Sequence, residues 1–287
     1  MRPMRVTEVV DAAVNLCRAN WKAFAAIVAF VTVPLQFVQQ LATRGSYELF
    51  PMSFDPAAPS SSGPGSTGVL LVTAILSLVA LLVVRPFLIA AMIRGISSAY
   101  LSEPVVVGDV YRFALRRFGS ILWVLLLEIL AWLGVAVAAF ALGGAFVAAH
   151  VAPLLALVVI GTIVLIALLY VRWVLATAAV VVEDARGTSA LGRSWQLTRA
   201  SFWRLTGTLV LTGLLSSIVG ALVAAAPTIL SLYVPAGWVL RTIGGVLSAV
   251  ITTPFVTAVT VLLYFDARVR REGLDIALML REIVAKP

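Results

Sequence analysis

Apolar residues fall along this chain in six long runs, and polar residues gather at the joints between them. A helix needs about 20 apolar residues to cross a hydrocarbon core of about 30 Å. By that rule the pattern predicts spans over 21–41, 69–93, 120–142, 153–178, 205–225 and 242–264. Ahead of three spans the periodicity changes to a single apolar stripe at i, i+4, i+7 and i+11, one face of a 3.6-residue helix. In "ALGRSWQLTRASFWRLTG" the stripe is Leu191, Trp195, Thr198 and Phe202, with Arg193, Gln196 and Arg204 opposite. Before span one it is Val6, Val10, Ala13 and Cys17, and before span three Val106, Val110, Phe113 and Arg117. At the C-terminus Ile276, Leu280 and Ile283 repeat the first three offsets.

The pattern therefore predicts an all-α integral membrane protein, six transmembrane helices in three pseudo-repeats of amphipathic helix plus helical hairpin. The repeats run over about 5–100, 105–183 and 187–265, and an amphipathic helix over 268–286 closes a single polytopic domain, 1–287. Self-similarity at this scale is a property of the fold. "RANWKAF", "RRFGSILW" and "RASFWRL" mark the three elbow-to-span junctions. The connection 42–68 contains "PMSFDPAAPSSSGPGST", a composition that buries little apolar area and predicts a flexible outer loop. "GGAFVAAHVAP" predicts a tight turn between spans three and four. Pro227, Pro235 and Gly237 predict a break and an outer interfacial segment between spans five and six. Pro34, Pro86 and Pro254 fall inside spans, where a missing N–H kinks a helix.

Composition supports the membrane assignment. Of 287 residues 62% are hydrophobic and only 12% charged, against about 45–50% and about 25% in soluble domains. Mean hydropathy is +1.07. Charge adds an orientation. Of the 21 Lys and Arg, seventeen fall in the N-terminus, the 2–3 and 4–5 connections and the C-terminus; only Arg44 and Arg241 fall on the other side. By the positive-inside rule both termini are cytoplasmic. The net charge of +8 suits anionic headgroups, and so much apolar sequence excludes nucleic acid as a partner. The N-terminal apolar run follows some twenty mixed-polarity residues, so it reads as a retained span and not a cleavable signal.

Three charges lie within the spans: Arg85, Glu128 and Arg172. Ionisable groups at such depth are costly and face a partner or a watered cavity. Counted from the cytoplasmic ends, all three sit roughly 9–12 Å deep at 1.5 Å per residue, so they are expected to meet as one polar cluster. At the surface, Arg193, Trp195, Arg199, Trp203, Arg116 and Arg117 form basic, aromatic elbows, and are expected to contact lipid headgroups at the interface.

Catalytic signatures are missing: no Walker loop, no G-x-S-x-G, no H-E-x-x-H. Cys17 and His150 are the sole cysteine and histidine, too few for a zinc site or an intrachain disulfide. No cofactor, metal or catalytic residue is expected. Glu183–Asp184, with Glu103 and Asp266, reads as an acidic terminator ahead of each amphipathic helix.

Two stretches resemble a known family. "VTEVVDAAVNLCRANWKAFAAIVAFVTVP" is similar to the opening of the glycerophosphoryl diester phosphodiesterase membrane-domain family: a helix, R-x-N-[FW], then an apolar run ending in Pro. "VVVEDARGTSALGRSWQLTRASFWRLTGTL" resembles that family's acidic residue followed by A-L-x-R-S-W-x-L-x-[KR]-x-x-[FW]-W, on Glu183, Ala190, Leu191, Arg193, Ser194, Trp195, Leu197, Arg199, Phe202 and Trp203. Some members join this domain to a soluble hydrolase barrel. The chain ends at Pro287, barely past its last helix, so the resemblance implies a stand-alone membrane domain, as in small bacterial relatives of unknown function, without the hydrolase activity. The expected protein is thus a non-enzymatic, multi-pass component of the bacterial cytoplasmic membrane that binds anionic lipids or a partner membrane protein. The alternative is a small transporter or permease subunit with a polar path at Arg85, Glu128 and Arg172.

Overall fold

The computed structural model describes residues 5–43, 64–149, 151, 153–183, 185, 187–199, 201–234 and 236–272. Among these are ten α-helices and no strand. They are α1 (Val6–Ala19), α2 (Trp21–Thr43), α3 (Pro64–Val79), α4 (Arg85–Tyr100), α5 (Val107–Ala148), α6 (Pro153–Trp173), α7 (Ala176–Glu183), α8 (Thr188–Arg199), α9 (Phe202–Leu230) and α10 (Gly237–Glu272). A π-helical turn, Ala80–Val84, joins α3 to α4. Six stretches are long and apolar enough to cross a bilayer: Trp21–Leu41, Leu71–Tyr100, Val107–Ala148, Pro153–Glu183, Phe202–Leu230 and Gly237–Arg271. These match the six predicted runs and mark a multi-pass membrane protein. Residues 44–63 of the expected outer loop, His150, Asp184 and the amphipathic helix beyond 272 lie outside the described residues.

Local chemistry sets the helix ends. Glu8 accepts the Arg5 backbone N–H at 2.8 Å and places an acid in the first turn of α1; Arg18 lies in its last turn, so both charges suit the helix dipole. Asn20 then breaks α1 from α2, its backbone and side-chain N–H groups both donating to the Leu16 carbonyl. Ser201 separates α8 from α9. Nothing similar stands between Val107 and Ala148, and there the chain departs from expectation. The second elbow and span three form one helix of 42 residues, about 63 Å at 1.5 Å per residue. It passes through Gly119, Gly143 and Gly144, since an isolated glycine costs a helix only about 1 kcal/mol and no proline is present. The turn follows at Ala149, later than "GGAF" predicts. α9 likewise runs through Pro227 to Leu230, so the break follows Leu230, and Gly237 opens α10. Pro64 starts α3, so the expected loop ends there; proline needs no N–H partner in a first turn.

The core lies at one end of the bundle. Val9 and Ala13 of α1, Phe24, Ile27 and Val28 of α2, Ala90–Ile93 and Ile96 of α4, Ala178–Val181 of α7 and Ala258, Val259 and Val261–Phe265 of α10 are buried together. α10 is the central post, packing on α1, α2, α4, α7, α8 and α9. Its contact with α9 is close because the facing residues are small: a Cβ on Gly220 would sit 2.8 Å from Ser248 Oγ. Tyr111 ties α5 to α2 by donating to the Ile27 carbonyl, and its ring stacks on Phe87 of α4. Away from this core the helices spread, and residues such as Phe30, Phe140 and Leu222 are exposed; in a bilayer such surface meets acyl chains.

Each elbow buries one member of its predicted stripe, Ala13, Val110 or Thr198, together with positions one residue off it, Val9, Ala114, or Ala190, Ser194 and Leu197. α8 buries Ala190, Ser194, Leu197 and Thr198, and leaves Trp195 at the rim. α1 buries Val9 and Ala13, and the start of α5 buries Val110 and Ala114. The elbows press on other helices, and close packing selects small side chains over the largest apolar ones.

Cys17 packs at the edge of this core, and burial pushes its thiol up to about 11. The thiolate is the reactive form, so at pH 8 alkylation of the folded protein should run about 100-fold slower than that of an ordinary protein thiol. The rate should climb about tenfold per pH unit towards 11. Iodoacetamide labelling followed by intact mass reads this single site; a rate equal to a peptide thiol would mean α1 is undocked.

Candidate functional site

Just beyond the core, where the helices begin to part, lies a cavity of about 690 Å³. Its walls are α4, α5, α6, the start of α7, α9 and α10. α4 contributes Arg85, α5 Glu128 and Trp132, and α6 Tyr170 and Trp173. α9 and α10 contribute a hydroxyl-rich wall with Ser216, Ser217, Ser248, Thr252, Thr253, Thr257 and Thr260. Several hydroxyls donate back to their own helix, Thr252 to Ser248, Thr257 to Thr253 and Thr260 to Val256, at 2.8–2.9 Å. Their oxygen lone pairs remain as acceptors. The Ser216 hydroxyl is enclosed without a hydrogen-bond partner. Arg85 and Glu128 share the cavity, yet neither makes an ion pair or hydrogen bond among the described residues.

Two walls carry backbone irregularities. The π turn Ala80–Val84 immediately precedes Arg85 and Pro86. Proline lacks an N–H for the carbonyl four residues back and its ring crowds that carbonyl; a widened turn accommodates both. On another wall Pro254 interrupts the ladder of α10 between Thr253 and Val256. Wide turns and prolines in spans recur where helices border a functional cavity.

Arg172 does not join this cluster, which corrects the three-charge expectation. It sits where α6 gives way to α7, with its guanidinium over Trp195 at 4.8 Å and Phe202 at 5.1 Å. Ser194 donates to its carbonyl at 2.7 Å. Equal depth, counted along separate helices, does not bring side chains together: Arg85 lies about 22 Å from the Tyr100 end of its helix, whereas Arg172 lies at the level of the α8 elbow.

That elbow is locked by two carboxylates. Glu183 at the end of α7 takes both arms of Arg193, at 2.7 and 2.9 Å, Nε of Arg268 at 3.1 Å, and the Tyr264 hydroxyl. Asp266, with its side chain 3% exposed, takes Arg204 at 2.6 Å and Arg270 at 3.0 Å. Arg271 reaches the Gln196 carbonyl. The chain returns from α7 to α8 through Gly187, whose φ is +57°. A Cβ there would also meet the Trp123 ring at 3.2 Å, so glycine is required twice over. Of the expected headgroup contacts, Arg193 is thus engaged with Glu183, and Trp195, exposed at the rim, packs its ring under the Arg172 guanidinium. Arg116, Arg199 and Trp203 are exposed, and Arg117 lies half-buried with its guanidinium over Phe113. Tyr264, Asp266 and Arg204 are joined here as one lock; Arg204 and Asp266 stand 62 positions apart in sequence, and no periodicity announces that contact. Among the described residues no group of three His, Cys, Asp or Glu is placed to hold a metal.

Comparison with known proteins places the chain in one family. A family model described as "Domain of unknown function (DUF7847)" matches residues 4–270, and the chain belongs to that family. The match spans both the cavity and the elbow lock. No curated protein and no solved structure matches.

Removing one partner of a buried ion pair leaves the other uncompensated, at a cost of about 3 kcal/mol. Asp266→Asn should therefore lower the thermal midpoint in detergent by about 6–10 °C. Arg204→Gln should cost less, because Arg270 still holds Asp266, and the double variant should cost less than the sum. Scanning fluorimetry on the four proteins checks the coupling; strict additivity would mean that the pair carries none.

Proposed function

We propose that this protein is a non-enzymatic binding domain of the cytoplasmic membrane, whose cavity holds the polar head of a lipid. The observation that carries this reading is the pair Arg85 and Glu128, unpaired in a hydroxyl-lined cavity within an apolar bundle. Charges placed so expensively need a ligand or water to satisfy them. The seventeen-to-two distribution of Lys and Arg supports cytoplasmic termini. In that orientation the elbow lock faces the cytoplasm, and Arg116, Arg199 and Trp203 lie at the inner headgroup level. Buried pairs four residues apart in α1, the start of α5 and α8 support the reading of three repeated elbows.

A second reading has its own observation. The π turn before Arg85 and Pro254 on another wall are places where a helix can bend, which favours a small transporter with Arg85 and Glu128 on its path.

Gentle extraction followed by mass spectrometry of bound lipids separates the outcomes. Lipid should be retained by the wild type, fall at least fivefold in Arg85→Gln with Glu128→Gln, and stay within twofold in Arg172→Gln. Equal retention in the double variant would refute a cavity ligand. Flux of a solute into vesicles that Glu128→Gln abolishes would move the conclusion to transport.

A further inference from the structure

The cavity's two charges lie on different walls, and that separation describes a ligand. Glu128 stands on α5 with Trp132 one turn further on, and Tyr170 and Trp173 line the same cavity from the α6 arm of the same hairpin. A carboxylate among aromatic rings is the setting that holds an ammonium group, through charge and through the ring faces. Arg85 stands on α4, and with the unpartnered Ser216 hydroxyl supplies donors suited to a phosphate. An anionic headgroup would leave Glu128 uncompensated; a cationic one would leave Arg85 so. Only a ligand carrying both signs satisfies both. The ring of α4, α5, α6, α9 and α10 is thinnest between α6 and α9, where the two helices touch least. Both helices carry exposed Leu, Ile and Val. That seam gives acyl chains a way out while the head stays inside.

Building on the lipid-binding reading, we infer that the cavity selects a zwitterionic phosphate–ammonium head of the phosphoethanolamine type, Arg85 taking the phosphate and Glu128 with Trp132, Tyr170 and Trp173 taking the ammonium. About 690 Å³ is within the usual range for a small-molecule site and admits such a head. The Glu128 side also discriminates: against a purely anionic head it acts as a repulsive element.

Native mass spectrometry of the full-length protein, titrated in parallel with phosphatidylethanolamine, phosphatidylglycerol and soluble phosphoethanolamine, tests this. The wild type should hold phosphatidylethanolamine at least tenfold tighter than phosphatidylglycerol. Glu128→Gln should erase or reverse that preference, a change of selectivity that a loss of folding does not produce. Arg85→Gln should weaken both lipids at least tenfold. Phosphoethanolamine binding as tightly as the lipid would support the head chemistry and assign it to a soluble source. Phosphatidylglycerol binding as well as or better than phosphatidylethanolamine in the wild type would overturn this inference alone. Retention of neither lipid nor the soluble head would overturn the lipid-binding reading with it.

Discussion

Two carboxylates at one end of the bundle, Glu183 and Asp266, decide how the helices meet. Apolar helices gain little hydrophobic drive from one another in a bilayer, because lipid tails are as apolar as leucine. Packing and polar contacts must choose the arrangement. Here Arg193 of α8 and Arg268 of α10 converge on the last residue of α7, and Arg204 of α9 returns to Asp266 of α10. Charged hydrogen bonds of this kind contribute about 1.5–3 kcal/mol each, and they are directional. They fix the rotation of α8, and that rotation puts Ala190, Ser194 and Leu197 against the core.

The same constraint explains why the opposite half of the molecule is open. With four helices tied at one end and α10 buried along its last turns, the tie weakens towards the other end. α5 and α6 continue well past the core as a hairpin with few neighbours. The cavity forms at the boundary between these regimes. Its floor is the core around Ile93 and Val174, and its roof is the widening space between helices. Polar side chains at that boundary are held in place by tight packing below and remain accessible from above, which is what a binding site needs.

Hydrophobic runs made the six spans legible, since length and polarity alone determine which helices can cross a bilayer. The break at Asn20 was legible too, in the change from a mixed to a uniform apolar pattern. Three things were not. The continuity of α5 depends on the absence of a stop, which the period change before span three obscures. The phase of α8 depends on Arg193 finding Glu183, a contact made through the left-handed turn at Gly187. The place of Arg172 depends on Trp195 and Phe202, more than twenty residues on. The last two involve a tertiary partner, and periodicity within one helix carries no information about partners. Within the candidate site, Arg85 and Glu128 stood out as charges in apolar sequence, while Trp132, Tyr170 and Trp173 were indistinguishable from ordinary span aromatics until the helices were assembled.

The stretch "ALGRSWQLTRASFWRLTG" shows how a sequence fingerprint relates to function in this fold. Ala190 and Leu197 are buried, Arg193 binds Glu183, Ser194 holds the Arg172 carbonyl, and Trp195 and Phe202 sandwich the Arg172 guanidinium. Arg204, just beyond, binds Asp266. Most of the residues of this fingerprint thus have work inside the scaffold. A chain sharing them has reason to share the elbow and the helix rotation it imposes, and no reason on that account to share a ligand. The residues of the proposed lipid site, Arg85, Glu128 and the aromatic residues of the α5–α6 hairpin, all lie outside the fingerprint. Under the proposed reading, variation at those positions would retune what the cavity accepts while Glu183, Arg193, Arg204 and Asp266 keep their contacts.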